Sequence, residues 1–267
     1  MNILNEIVAH KRKEVEENRN HFPVKLLEKS SFFEASTASL KKYILREDRS
    51  GIIAEIKRKS PSKGVINNVV SVERISTGYV QAGASALSVL TDHHFFGGSN
   101  EDLGVARKFN SCPILRKDFV IDEYQIIEAK AIGADAILLI AAVLSPARIK
   151  TLALFAHALG LEVLLEIHSA DEIMRNADAP VDLIGVNNRN LKTFEVSVET
   201  SNTLFPLIPD HVVKVSESGI DDPRAVIELR KIGFQSFLIG QKFMEQPDPV
   251  KACQEFIDEL NKLKSKP

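Results

Sequence analysis

Eight short apolar runs recur from residue 51 onward, and they restrict this chain more than any other feature. They span residues 51–57, 86–92, 113–119, 136–143, 162–168, 183–189, 212–218 and 236–241. Several are almost unbroken Ile, Val, Leu and Ala, the pattern of parallel strands covered on both faces. Between most of them lie segments with helical periodicity, and the punctuation is explicit. Ser145-Pro146 and Asp222-Pro223 each put an N-cap before a first-turn proline, and Ser169 with Glu172 has capping-box spacing. Gly83, Gly133, Gly160 and Gly233 stand just ahead of strands, where a helix end needs a left-handed residue. The junctions 82–86, 132–136 and 232–236 repeat one another.

Eight βα units about 26 residues apart predict an α/β fold, a (β/α)8 TIM barrel, which takes ~250 residues. The 267 residues fit one such barrel, and a hydrophobic fraction of 44% can fill its core. An open doubly wound sheet is the runner-up. It is disfavoured because no Gly-x-Gly-x-x-Gly follows the first strand.

Residues 1–48 precede the first strand. Ile3, Leu4, Ile7, Val8 and Val15 fall near helical spacing, while Lys11-Arg12-Lys13-Glu14 is polar. This predicts a helical extension packed on a barrel of residues 49–267, the two forming a single structural domain. The basic run reads as its solvated face.

Charge and cysteine content narrow the function classes. A net charge of −2 argues against a nucleic-acid partner. Two distant cysteines, Cys112 and Cys253, are no disulfide framework and fit reduced core thiols. The first residues, Met1-Asn2-Ile3-Leu4-Asn5-Glu6, lack a signal core. The longest apolar run, 136–144, falls far short of the ~20 residues that span a bilayer. A soluble, cytoplasmic protein with no membrane partner is expected.

In a barrel of this kind, polar residues at C-terminal strand ends read as active site. Alternation along a strand tests which of them converge. Glu55 and Lys57 share a face of the first strand, Lys117 and Phe119 of the third, Glu166 and His168 of the fifth, and Asn187 and Arg189 of the sixth. The seventh ends Ser216-Glu217-Ser218-Gly219. A single such charge is ordinary loop chemistry. Charges inside apolar runs on several strands are costly to bury unpaired, which favours a joint site.

The loops after strands seven and eight often bind phosphate through backbone N–H groups. Here they carry Ser218-Gly219 and Gly240-Gln241, and glycine lets a backbone approach an anion closely. Lys57-Arg58-Lys59 and the loop Ser60-Pro61-Ser62-Lys63-Gly64 add to that anion-binding character. Phe96 and Phe119 are candidates for an apolar wall, although Phe is more often core. Asp92-His93-His94 invites a metal reading. Adjacent histidines point apart in an extended chain, and no metal-ligand spacing exists, so no metal is expected.

In order, these motifs resemble indole-3-glycerol phosphate synthases, the ring-closing enzymes of tryptophan biosynthesis. The resemblance runs from about residue 51 to 245, with the helical extension in keeping. It is carried by Ala54-Glu55-Ile56-Lys57 with Ser60-Pro61-Ser62-Lys63-Gly64, Leu90-Thr91-Asp92 with Phe95-Phe96-Gly97-Gly98-Ser99, Leu115-Arg116-Lys117-Asp118-Phe119, Leu165-Glu166, Asn187-Asn188-Arg189-Asn190-Leu191 and Glu217-Ser218-Gly219. It implies a lyase acting on a phosphorylated small molecule, 1-(2-carboxyphenylamino)-1-deoxyribulose 5-phosphate, without cofactor or metal.

The resemblance also implies roles. Lys117 is the general acid of ring closure and Glu166 the general base of the closing dehydration. Glu55 and Asn187 orient them. Lys57 contacts phosphate and is a second candidate proton donor. Ser60, Arg189, Leu191, Glu217 and Ser218 match substrate-contacting positions, Phe96 and Phe119 hold the aryl ring, and Gly219, Gly240 and the Gln241 backbone hold phosphate. Family members often carry Ser or Glu where this chain has Gln241. Clustered lysines and carboxylates perturb one another's pKa values, so a bell-shaped pH–rate profile is expected. Many relatives are fused to the neighbouring isomerase of the pathway, and this chain reads as monofunctional, a monomer or weak homo-oligomer. Two alternatives stay open. One is an aldolase-type barrel with Lys117 as Schiff-base nucleophile. The other is a non-catalytic phosphate-ligand-binding barrel.

Overall fold

All eight runs become strands of one closed parallel barrel in a computed structural model of the chain, which describes residues 3–191 and 193–264. Met1 and Asn2, at the start of the segment read as lacking a signal core, lie outside the described residues. The strands are β1 Ile52–Ile56, β2 Ala86–Leu90, β3 Ile114–Lys117, β4 Ala136–Ile140, β5 Glu162–Ile167, β6 Leu183–Asn187, β7 Val213–Glu217 and β8 Ser236–Ile239. Each pairs with its sequence neighbours, and β1 closes the barrel on β8 through Ile53↔Leu238. Most runs overshoot their strand by one to three residues at the C-terminal end, so His168 and Arg189 stand just past β5 and β6.

Helices are α1 Ile3–His21, α2 Val24–Leu27, α3 Leu40–Ile44, α4 Val72–Gln81, α5 Asn100–Phe109, α6 Glu123–Ala131, α7 Pro146–Ala158, α8 Ala170–Arg175, α9 Glu199–Leu204, α10 Pro223–Ile232, α11 Gln241–Met244 and α12 Pro249–Lys264. Ser145 and Asp222 cap α7 and α10 ahead of their prolines, as the sequence suggests. Ser169 accepts the Glu172 N–H at α8, but the Glu172 carboxylate reaches the N–H of His168 rather than of Ser169, so that box is half formed. Asp122 and Gln125 make a complete one at α6. Gly83, Gly133, Gly160 and Gly233 are all left-handed. No helix among the described residues is long and apolar enough to cross a membrane.

Side-chain alternation splits the core in two. Ile52, Ala54, Leu87, Val89, Leu139, Val163 and Val186 face outward and pack beneath the helices. Ile53, Ala86, Leu115, Leu138, Leu164, Leu183, Val215 and Leu238 fill the barrel interior. Each buried aliphatic stabilises the fold by roughly 1.5–3 kcal/mol, so this layered packing is the main restoring force. Continuing the inner parity toward the C-terminal ends brings Glu55, Lys117, Glu166, Asn187 and Glu217 to the mouth.

The N-terminal extension reaches both ends of the barrel. At one end, Leu40 and Ile44 of α3 join the interior cluster, and Ser39 donates to Glu162 at the start of β5 (2.5 Å). At the other, Leu4 and Ile7 of α1 join the same cluster from the mouth side. The basic run of α1 departs from expectation. Arg12 and Lys13 are exposed, but Lys11 has no exposed surface and its ammonium meets Glu14 (2.7 Å), Asp118 (2.9 Å) and Asp92 (3.0 Å). Lys11 lies one turn beyond Ile7 on the same face, so helix periodicity carries it inward with the apolar stripe.

Candidate active site

A cavity of about 450 Å³ opens at the C-terminal ends of the strands. At its floor three carboxylates meet two lysines. Lys117 Nζ donates to Glu166 Oε2 (2.7 Å) and lies 3.5 Å from Glu217 Oε2. Lys57 Nζ donates to Glu55 Oε1 (2.7 Å), and Ser88 Oγ on the neighbouring strand donates to Glu55 Oε2 (3.3 Å). Strand pairing fixes these positions: Glu55 stands opposite Ser88, and Glu217 opposite Asn187 and Leu238.

Burial and mutual charge set the protonation of this cluster. Burial alone would lower the Lys117 pKa, but Glu166, Glu217 and Glu55 outweigh it and hold the ammonium well above its ordinary value. Burial would raise Glu166, and Lys117 with His168 overrides that, so its carboxyl stays below the ordinary carboxylate range. Glu217 goes the other way. Burial pushes it up, Lys117 only partly opposes, and Glu166 and Glu55 add repulsion, leaving it at about 7. Its Oε1 has no hydrogen-bond partner among the described residues. Two carboxyls one lysine apart with opposed shifts are the arrangement that separates acid from base roles.

Two glycines make room for the carboxylates. A Cβ on Gly185 would stand 2.0 Å from Glu217 Oε1, and one on Gly240 would stand 2.8 Å from Glu55 Cβ and Oε1. Gly185 has no side chain and drew no notice in the sequence. The only signal available was a glycine at an inward position of a strand, where packing normally wants bulk.

The rim has two chemically distinct sides. On one, formed by β1, β6, β7 and β8, lie Lys57, Ser60, Arg189, Leu191, Ser218, Gly219, Gly240 and Gln241. Ser218 adopts φ +69° and Gly219 φ +72°. A left-handed serine costs of order 1–3 kcal/mol and persists only when its surroundings dictate it. Asn188 supplies part of that constraint: its Nδ2 donates to Ser218 O (3.0 Å) and Ser216 Oγ (3.0 Å), while its Oδ1 accepts from Ser201 Oγ (2.9 Å). Asn188 is thus a supporting residue that sequence reasoning quoted but gave no role. Asn187 accepts the Arg189 N–H (3.0 Å), and burial lowers the Arg189 pKa.

Of the basic trio after β1, only Lys57 lines the cavity. Arg58 turns away to Asp102 and the Gly97 carbonyl, and Lys59 donates to His94 O (2.6 Å). The cause is a small antiparallel hairpin, Lys59–Ser60 with Gly64–Val65, where the sequence suggested a plain loop. It re-aims the chain so that Ser60, Ser62 and Lys63 return to the cavity.

On the other side, Phe96 and Phe119 face each other with ring centroids 5.9 Å apart and planes tilted by 37°. Ile3, Leu4 and Ile7 of α1 complete this apolar side, a contribution the sequence placed on the barrel but not at the site. All fifteen residues singled out from the sequence therefore line one cavity. His168 does not line it, but its Nε2 lies 3.4 Å from Glu166 Oε1. The tempting Asp92-His93-His94 stretch is committed elsewhere: Asp92 Oδ1 accepts the Phe95 and Phe96 N–H groups, and His94 stacks on His10 at 4.4 Å.

A cavity with an ammonium between carboxylates, an anion-ready rim and an apolar slot can protonate a carbonyl oxygen on an acidic aromatic substrate. Comparison with known proteins points the same way. A family model described as indole-3-glycerol phosphate synthase matches residues 4–256. The chain is 50% identical over 255 residues to a protein of that name from Bacteroides thetaiotaomicron, covering 96% of this chain and 97% of that one. It is 47% identical over 205 residues to one from Bordetella pertussis, covering 77% and 78%. A third, from Thermoanaerobacter pseudethanolicus, is 40% identical over 257 residues, covering 96% and 98%. In fold alone, the crystal structure of 3-hexulose-6-phosphate synthase from Salmonella typhimurium superposes with a TM-score of 0.63 at 12% identity, covering 79% of this chain and 99% of that one.

Proposed function

The chain belongs to the indole-3-glycerol phosphate synthase family, and we propose a specific division of labour among the residues of its mouth. The enzyme is a carboxy-lyase. It closes, decarboxylates and dehydrates 1-(2-carboxyphenylamino)-1-deoxyribulose 5-phosphate to indole-3-glycerol phosphate. The observation that carries the reading is the Lys117 ammonium held between Glu166 and Glu217 at the floor of a cavity that is anion-ready on one side and aromatic on the other.

The aryl ring occupies the slot between Phe96 and Phe119, under Ile3, Leu4 and Ile7. The phosphate lies among Lys57, Ser60 and the backbone N–H groups of Gly219 and Gln241, with Gly240 and Ser218 shaping the backbone. Arg189 and Leu191 close over the chain between them. The aryl carbon bearing the carboxylate then bonds to the ketone carbon, and Lys117 gives a proton to the ketone oxygen as it becomes a hydroxyl. Stabilising charge where it develops is commonly the largest single effect in such steps. Loss of carbon dioxide returns its bonding pair to the ring. Glu166 next takes a proton from the carbon beside the nitrogen, and the hydroxyl leaves as water with a proton from Lys57 or Lys117. Glu55 and Asn187 hold these groups in register.

A Schiff-base reading of Lys117 needs a free amine. Its three carboxylate neighbours keep it an ammonium, a donor rather than a nucleophile. Residues 1–48 and the barrel 49–267 act as one unit here, because α1 completes the aryl slot. A cytoplasmic location and a monomeric or weakly associating state belong to the same reading.

The test is a fluorescence assay for indole formation. Lys117→Ala should lose turnover by about a thousandfold or more while retaining substrate binding. Full activity in that variant, or a borohydride-trapped adduct on Lys117 in the wild type, would sink the mechanism.

A further inference from the structure

Lys11 is a fully committed charge outside the floor of the cavity. It has no exposed surface, lies on α1, and pairs with carboxylates from two other elements, Asp92 after β2 and Asp118 after β3. Each carboxylate organises an aromatic ring. Asp92 Oδ1 accepts the N–H groups of Phe95 (2.7 Å) and Phe96 (3.1 Å), which fixes the turn that presents the Phe96 ring. Asp118 Oδ1 accepts the N–H of Phe119 (2.8 Å), and Thr91 Oγ1 donates to its Oδ2 (2.6 Å). Ile3, Leu4 and Ile7, one and two turns before Lys11 on the same helix face, form the roof above those rings.

We propose that Lys11 is a positioning residue for the aryl end of the site: one ammonium ties the α1 roof, the Phe96 loop and the Phe119 loop into a single slot of fixed width. The inference rests on the reading that Phe96 and Phe119 hold the substrate's aryl ring. It adds a determinant that touches neither substrate nor reacting atoms. Three separate pieces of chain converge there, far apart in sequence, with no backbone hydrogen bond joining α1 to either loop turn among the described residues. The ammonium therefore supplies alignment that secondary structure does not. Misplacement of about 1 Å at such a distance is enough to cost tens-fold in rate or binding. On the phosphate side, the strand ends of β7 and β8 have no hydrogen bond to this network among the described residues; only the hairpin after β1 touches it, through Lys59 to His94 O (2.6 Å) and Phe96 O (3.3 Å).

The experiment compares wild type, Lys11→Met and Asp92→Asn. It uses the full chain, with anthranilate alone and inorganic phosphate alone as competitive inhibitors. Lys11→Met keeps the length of the side chain and removes its charge. It should raise KM and weaken anthranilate inhibition by about tenfold, leave phosphate inhibition unchanged, and hold kcat per folded molecule within about threefold. Asp92→Asn, which keeps an oxygen facing the Phe96 N–H, should show the same split at smaller size. It decides the matter if Lys11→Met does not fold. A lower kcat with unchanged KM and unchanged anthranilate inhibition in the folded variants would mean that Lys11 only supports the fold, and would overturn the proposal. Phe96→Ala separates the two layers of the argument. If it too leaves anthranilate inhibition unchanged, the aryl-slot reading fails. If it weakens inhibition while Lys11→Met and Asp92→Asn do not, only the role of Lys11 fails.

Discussion

Lys117 and Asp118 are consecutive residues that belong to two different kinds of buried charge. Lys117 points into the mouth, where Glu217 Oε1 has no hydrogen-bond partner among the described residues and Glu217 sits at about 7. Asp118 points into a network with Lys11, Thr91 and Arg116. There Arg116 alone donates to Thr91 Oγ1, Gln125 O, Asn100 Oδ1, Asp118 and Glu128, the last at 2.5 Å. Burial would raise the Asp118 pKa, but Lys11 and Arg116 outweigh it and pull the carboxyl far below its ordinary value. The carboxylates of both clusters are buried, although Lys57 and Lys117 keep 17% and 15% of their side chains exposed and Lys11 and Arg116 only 0% and 2%. What separates them further is how their charges are met. One spends them on internal partners; even Asp92 Oδ2, which has no hydrogen bond among the described residues, is paired with Lys11 at 3.0 Å. The other keeps acceptors and an ammonium beside open space. Unsatisfied buried polar groups beside a cavity are a signature of chemistry, and saturated ones are a signature of architecture.

The sharpest way to break this contrast is Glu166→Gln. The amide keeps the shape and should lower kcat by about 100- to 10,000-fold, with thermal unfolding nearly unmoved. A large drop in Tm would put Glu166 with the architectural set. Arg116→Met is the mirror experiment. It should destabilise by about 3–5 kcal/mol, because it leaves Glu128 buried without its main partner and Asp118 without one of its two cations. The folded fraction should turn over within a few-fold of wild type, and denaturant titration with active-site counting separates the two quantities. Gly185→Ala should cost about tenfold or more in kcat/KM, since its methyl must displace the Glu217 carboxylate it would meet at 2.0 Å. Wild-type kinetics there would show that the carboxylate is free to move.

The smallest effect concerns pH, and Glu217 and Asp118 should have opposite signs. The folded Glu217 pKa is raised from 4.5 to about 7, so its contribution to stability is complete below its unfolded value and lost as pH rises through 7. The folded Asp118 pKa is depressed. Its contribution is present above the unfolded value of 3.8 and lost as pH falls toward the depressed folded one. Urea midpoints across about pH 3 to 8 should lose the neutral limb in Glu217→Gln and show a shallower acid limb in Asp118→Asn, where Glu166 and other depressed carboxyls keep the rest. The same slope in wild type and both variants would remove the distinction.

Much of this was readable in the chain. Strand parity alone brings Glu55, Lys117, Glu166 and Glu217 to one mouth, because a period of two is a local property. The architectural network was not readable, because its partners are distant in sequence and its members look like ordinary polar residues. Lys11 sits in a basic run of the kind that usually faces water. Only its place one turn beyond Ile7 hints otherwise. Arg58 and Lys59 were misjudged for a related reason: the hairpin that re-aims them depends on contacts with Gly97 and His94. Gly185 and Asn188 act through neighbours on the next strand, Glu217 and Ser216, which no single stretch of sequence displays.

The attachment of the N-terminal extension at both ends of the barrel has a consequence for synthesis. Residues 3–44 leave the ribosome before any barrel strand, yet Ala38 waits for Asp135, Ser39 for Glu162 and Lys11 for Asp118. The interior that receives Leu4 and Ile7 closes only when residues 236–239 pair with β1. At ~5–20 residues per second, the apolar stripe of α1 stays without its partner surface for roughly 10–40 seconds. Chaperone demand during translation should therefore track the exposed faces of α1 and α3 rather than the strands that follow them.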